Sequence, residues 1–226
     1  MQYHIQTSPI WDAFRENDGC PMCRLYERAE SRLIKQYLDE AVMEPEYRIK
    51  VNKRGFCSDH LKKLYAGGNK LGLALQLHTR TESVLDDIEM TDSAKKSGRL
   101  ADKLAKTLET CVICDEVDEI MTRYAYTVAQ MYFAEADFPK VFDESAGFCL
   151  KHFIQLLRYV SHASKAAEKY AKALTKKQIE SLRKTNAELE RFTKRFDYRS
   201  SDKFSAGTDD ALKNSVNKLK GKIITD

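Results

Sequence analysis

The sequence predicts an all-α protein made of two tandem, pseudo-symmetric, zinc-stapled helical hairpins followed by a basic helical C-terminal extension. Three observations lead there. Apolar residues recur at three- and four-residue steps almost throughout the chain. Convincing strand-like alternation is confined to residues 47–51. A Cys/His motif occurs twice with nearly the same internal spacing, which marks a repeat. The first unit is expected at residues 1–92, the second at 98–174 and the extension at 175–226.

Taken in chain order, Ser8-Pro9 reads as an N-cap with proline in the first turn, opening a short helix through Trp11 and Phe14. After Cys23, the residues Tyr26, Ala29, Leu33, Tyr37, Leu38 and Ala41 form a helical stripe that Pro45 ends. Residues 47–51 then read as a short extended return. A helix over 61–90 is expected to break at Gly67-Gly68, and polar residues 91–98 read as a linker. Leu100, Leu104 and Leu108 form one stripe leading into the second copy. There, Val117, Ile120, Met121, Tyr124, Val128, Met131 and Tyr132 repeat the helical pattern up to Pro139. A helix is expected from Phe153 to about Leu174, and Thr175 with Gln178 matches a capping box that would start another. That helix would place Leu182, Leu189, Phe192 and Phe196 on one face. Residues 200–207 read as a loop, and Thr208, Asp209 and Asp210 as the cap of a last helix carrying Leu212, Val216 and Leu219.

The repeated motif is the chemically informative feature. Cys20-Pro21-Met22-Cys23 precedes Gly55-Phe56-Cys57-Ser58-Asp59-His60, and Cys111-Val112-Ile113-Cys114 precedes Gly147-Phe148-Cys149-Leu150-Lys151-His152. The gap between the second and third cysteine is 33 residues in the first copy (24–56) and 34 in the second (115–148). All six cysteines of the chain and two of its five histidines occupy equivalent places. Two short chelating pairs separated by a helix-length insert form a four-donor metal set, and three Cys with one His is a standard closed zinc set. The expectation is therefore two zinc ions per chain. Within-copy pairing is preferred, Cys20, Cys23, Cys57 and His60 in one set and Cys111, Cys114, Cys149 and His152 in the other, with exchange between copies as the alternative. A helix of about 20 residues runs ~30 Å, and an extended connector of about 12 residues spans up to ~40 Å, so a return to the first pair is within reach. An iron–sulfur cluster on the same ligands is the rival cofactor, because histidine can replace a cysteine there. Disulfides fit poorly with three cysteines per copy, and a redox C-x2-C would need a βαβ context that the pattern lacks.

Composition narrows the function classes. At 226 residues with 42% hydrophobic residues the chain can bury a core, and no apolar run approaches the ~18 residues of a membrane span. Residues 1–14 show no signal-peptide pattern, which makes a cytoplasmic, non-membrane protein the expectation. Charge is uneven. Residues 1–110 carry 18 basic and 17 acidic side chains, residues 111–150 carry 2 and 8, and residues 151–226 carry 18 and 9. The last segment, at +9, raises contact with a polyanion such as nucleic acid, against use of the same lysines as a solvated helix face or toward a protein partner.

Other candidates have plainer readings. His78 shares a helical face with Leu71, Leu75 and Leu85 and reads as a core or boundary histidine, while His4 and His162 read as surface residues. Gly67-Gly68-Asn69-Lys70 lacks the spacing and the preceding strand of a phosphate loop. Asp115, Glu116, Asp118 and Glu119 suit the start of a helix and read as a solvated face. Tyr124, Tyr126, Tyr132, Phe133 and Phe138 read as core. No nucleophile–base pair is recognisable, so the function expected is a non-catalytic metal-stabilised interaction or regulatory module, with a redox or electron-transfer cluster protein as the alternative.

The chain also resembles a known family. Tyr3-His4-Ile5, Pro9-Ile10-Trp11-Asp12-Ala13-Phe14, Cys20-Pro21-Met22-Cys23, Val42-Met43-Glu44-Pro45, Val51-Asn52-Lys53-Arg54-Gly55-Phe56-Cys57 and Gly68-Asn69-Lys70-Leu71-Gly72-Leu73-Ala74-Leu75 carry the likeness. So do Phe196-Asp197-Tyr198-Arg199 and Asp210-Ala211-Leu212-Lys213. These stretches are similar to an uncharacterised family of cytoplasmic proteins of anaerobic Gram-positive bacteria. The resemblance implies that the duplicated Cys/His unit is the defining feature, and it brings no assigned activity.

Overall fold

The computed structural model describes residues 7–16, 18–91, 93–196 and 210–222. These residues are all-α, with helices and two short 3-10 turns and no strand among them. The helices are α1 (Ser8–Arg15), α2 (Pro21–Leu38), α3 (Pro45–Arg54), α4 (Ser58–Ala66), α5 (Lys70–Glu89), α6 (Ala94–Leu108), α7 (Val112–Ala134), α8 (Phe138–Glu144), α9 (Leu150–Arg158), α10 (Ala167–Lys194) and α11 (Asp210–Lys220). His4, Asp197, Tyr198, Arg199, the expected loop at 200–207, Thr208 and Asp209 lie outside the described residues.

The chain divides into two compact units, one from Met1–Tyr26 with Met121–Asp226, the other from Glu27–Ile120. The first has an aromatic core. Phe142 packs on Phe14, Phe148, Tyr132 and Tyr170 with ring centroids 5.4–5.9 Å apart, and Ile10, Met22, Leu25, Leu156 and Leu174 complete it. Edge and tilted ring pairs at these separations add to the area they bury. In the second unit, Tyr37 is fully buried against the rings of Tyr47 and Phe56, with Leu33, Val51, Leu64, Ile113 and Val117 also buried in that unit. Tyr37 donates its hydroxyl to Glu116 at 2.9 Å, Lys50 reaches the same carboxylate at 3.0 Å, and Arg54 grips Asp115 through two nitrogens. The first two acidic residues of α7 therefore tie α2 and α3 to it, rather than only facing solvent.

Several elements depart from the sequence expectation. Residues 47–51 are helical, not extended. Pro45 starts α3, and Gly55, at φ 65, ends it. Tyr47 and Val51 stand one helical turn apart as well as two strand steps apart, so the pattern fits both periods, and packing against Tyr37 selects the helix. The expected helix over 153–174 is two helices, because the chain turns at Ser164 in the left-handed region (φ 51). Thr175 and Gln178 start nothing. They lie inside α10, where Tyr170, Leu174 and Gln178 continue one buried stripe through the supposed boundary. The linker at 91–98 is shorter than expected, since Ser93 caps α6 by accepting from the Lys96 N–H. The break at Gly67-Gly68 is present between α4 and α5. His78 is exposed and faces Glu82 at 3.5 Å, because α5 turns Gly72, Leu73 and Gln76 inward instead. Tyr132 and Phe138 are buried, whereas Phe133 is half exposed.

Candidate metal centres

Each Cys/His motif sits at a helix start. Cys20 immediately precedes α2 and Cys111 immediately precedes α7, so Cys23 and Cys114 fall in the first turn of each helix. Cys57 and Cys149 are the N-cap residues of α4 and α9, and His60 and His152 follow one turn in. The glycine of each Gly-Phe-Cys has positive φ, 65° at Gly55 and 79° at Gly147, which side chains disfavour. At Gly147 a Cβ would also come within 2.8 Å of Ser181. These turns swing the third cysteine toward its partners.

Two donor sets result, and their composition corrects the pairing preferred from the sequence. Site 1 gathers Cys20, Cys23, Cys149 and His152; site 2 gathers Cys57, His60, Cys111 and Cys114. Each site joins the C-x2-C of one copy to the C-x2-H of the other. The reason lies in the connectors, which were expected to be extended. They contain α3, of 10 residues, and α8, of 7, and a helical residue advances the chain only about 1.5 Å where an extended one advances ~3.4 Å. Each C-x2-H instead completes the C-x2-C of the other copy. All four donors of site 1 lie in the first compact unit and all four of site 2 in the second.

Within each set the donor atoms all lie within 4.8 Å of one another. At site 1, His152 Nδ1 stands 3.6, 3.3 and 3.2 Å from the sulfurs of Cys20, Cys23 and Cys149, and Cys23 is 3.6 Å from Cys149. At site 2, His60 Nδ1 stands 3.2, 3.3 and 3.3 Å from Cys57, Cys111 and Cys114, and Cys57 is 3.8 Å from Cys114. All six cysteines are free. Two helix N-termini point at each sulfur group, a polarity that favours negative charge. Both sets can hold a metal ion.

The electrostatics of the two donor sets show how tightly the donors are pressed together. Burial pushes the Cys20 thiol well above its usual range. Its neighbour Cys23 is raised to about 11, chiefly because it donates to Cys149. Cys149 is held far below the thiol range as the acceptor from Cys20 and Cys23. At site 2, burial opposes charge on the His60 ring, but bonds to Cys111 and Glu30 outweigh it and lift the ring to about 10. Burial likewise opposes the Cys111 thiolate, yet the bond from His60 and the backbone N–H groups of Cys57 and Cys114 bring it down to about 6.

One polar partner escaped the sequence reading. Glu30, buried on α2, takes His60 Nε2 at 3.1 Å on one carboxylate oxygen and Lys63 Nζ at 2.6 Å on the other. A bound metal would take Nδ1 while Glu30 holds Nε2, as a carboxylate behind a ligating histidine commonly does. The helical stripe holding Ala29 and Leu33 gives no hint of it, because Glu30 lies beside that stripe. The two sites differ here: His152 Nε2 is buried with no hydrogen-bond partner among the described residues.

The family of unknown function DUF6062 matches residues 1–226. The chain belongs to that family. It is also 26% identical over 188 residues to the "Uncharacterized 23.9 kDa protein in xynA 3'region" of Caldicellulosiruptor sp. (strain Rt8B.4), a match covering 82% of this chain and 86% of the relative. Both findings agree with the resemblance seen in the sequence. No solved structure matches the chain. None of the described helices is long and apolar enough to cross a membrane.

Proposed function

We propose that this member of DUF6062 is a non-catalytic zinc protein whose two closed Cys3His centres hold a helical scaffold in shape for interaction with another macromolecule, most simply a protein. The donor spacing carries the metal assignment. A single tetrahedral zinc with bonds of ~2.3 Å to sulfur and ~2.0 Å to nitrogen sets sulfur–sulfur edges of about 3.8 Å and sulfur–nitrogen edges of about 3.5 Å. The two sites hold sulfur pairs at 3.6 and 3.8 Å and sulfur–nitrogen pairs from 3.2 to 3.6 Å. An iron–sulfur cluster interposes sulfide between several irons and needs its protein donors further apart, so the spacing favours one ion per site. Four protein donors per ion leave no position for water and hence no metal-hydroxide chemistry.

The basic segment supports a protein partner better than nucleic acid. On α10, Lys172, Lys176, Lys177 and Lys194 each lie within 4 Å of a glutamate on the same helix, which offsets part of the charge a phosphate backbone would require. Elemental analysis of protein prepared without chelator tests the metal reading: two zinc ions per chain are expected. One ion or fewer overturns the two-site reading, and iron with acid-labile sulfide overturns zinc.

A further inference from the structure

The C-terminal helix ends on site 1. Gly221, just beyond α11, is buried with φ at 101°, and a Cβ there would come 3.9 Å from Cys149 Sγ. The backbone N–H of Lys222 donates to the sulfur of Cys23. One turn earlier, Lys218 Nζ donates to the Ala146 carbonyl at 3.3 Å, in the turn that leads into Gly147, within electrostatic reach of the sulfurs of Cys20, Cys23 and Cys149. Residues 218–222 therefore bring an N–H donor, a cationic side chain and a close glycine backbone to the neighbourhood of the thiol cluster.

The rest of α11 docks through small side chains. It packs along α9 and α10, but the side chains it buries are those of Ala211 and Ser215, while Leu212 and Leu219 are each 53% exposed. Little apolar area leaves the water when such a helix docks. A zinc ion with three thiolates and a neutral histidine carries a net charge of −1, which suits the Lys218 ammonium and the Lys222 N–H.

We propose that α11 is a clasp held down by metal-loaded site 1, so that emptying site 1 frees the C-terminal helix while site 2 does not control it. The clasp rests on the reading of site 1 as a metal centre. Loaded, the ion fixes the Cys20–Cys23 turn and the Cys149–His152 turn in one tetrahedron, and residues 218–222 close over it. Emptied, the two turns lose their common anchor, and the surface that receives Lys218, Gly221 and Lys222 goes with it. The metal state of one centre is thereby converted into exposure or burial of a terminal helix.

Amide hydrogen exchange by mass spectrometry on the full-length chain, with metal content measured on each sample, tests this. In the two-zinc protein the amides of 211–221 are expected to be protected. Cys23→Ser, which empties site 1, should speed their exchange at least 10-fold, and Cys114→Ala, which impairs site 2, should not. Because Cys23→Ser can loosen the whole unit, Lys218→Met and Gly221→Ala provide a second arm. Both leave the ligands in place and should speed exchange of α11 while the zinc content stays at two. Protected α11 amides in a chain shown to lack the site 1 metal, or unaltered exchange in both ligand-sparing variants, overturns the clasp and leaves the zinc reading standing. A wild-type chain with no metal at site 1 overturns both.

Discussion

Replacing Glu30 by glutamine should weaken site 2 and leave site 1 as it was. The carboxylate is 8% exposed and holds both His60 Nε2 at 3.1 Å and Lys63 Nζ at 2.6 Å. Its bond from His60, helped by Lys63 and opposed by burial, holds the carboxyl below its usual range, so it is ionised at neutral pH. Glutamine keeps the shape and can still accept from Nε2, but it removes the negative charge that makes Nδ1 a better donor to the metal. Changes behind a ligating histidine typically cost about 10–100-fold in metal affinity, equivalent to roughly 1.4–2.7 kcal/mol. Loss of the Lys63 contact adds little, since that ammonium is about half exposed and screened by water. Competition titration against a chromophoric zinc chelator would read the two affinities separately. The variant should show one affinity lowered by that factor and one unchanged. The wild-type advantage should also fade with acid: a depressed carboxylate favours the folded, loaded state above its unfolded pKa, and that contribution is lost as pH falls through the folded value. Equal weakening of both sites, or no weakening of either, would refute the assignment of Glu30 to site 2 alone.

Three further outcomes follow from the geometry. Reciprocal pairing predicts that Cys20→Ala combined with Cys149→Ala removes one ion and leaves the other, because both residues belong to site 1; within-copy pairing would impair both sites, and loss of both ions by elemental analysis would restore it. Loading each site should expel at least two protons at neutral pH, from Cys20 and Cys23 at site 1 and from Cys114 and His60 at site 2, all of which are raised. Zinc affinity should thus fall ~100-fold per unit of pH lost near neutrality, and calorimetry in buffers of different ionisation enthalpy finding almost no proton release would contradict this. Finally, Gly72→Ala should destabilise the Glu27–Ile120 unit by roughly 1–3 kcal/mol, since a Cβ would stand 2.0 Å from the Leu38 carbonyl oxygen; a thermal melt unchanged by the substitution would show that the approach of α5 to the end of α2 is looser than described.

The sequence by itself determined what local chemistry and periodicity can determine. Apolar residues at helical steps sufficed for the all-α class, and Gly67-Gly68 marked the break between α4 and α5. The duplicated motif singled out the same eight residues that the structure gathers into two donor sets. The positive φ of the glycine in each Gly-Phe-Cys, Gly55 and Gly147, came only from the structure. Which pair joins which was decided only by tertiary structure. Tyr47 and Val51 satisfy two periods at once, and packing on Tyr37 makes the first connector a helix, while each C-x2-H meets the C-x2-C of the other copy. Glu30 and Lys218 were illegible for a related reason. One lies 30 residues from His60 and the other more than 60 from Cys149, and neither belongs to a spaced motif. Their roles exist because folding brings them to a histidine nitrogen and a group of sulfurs, and a contact of that kind leaves no periodic trace along the chain.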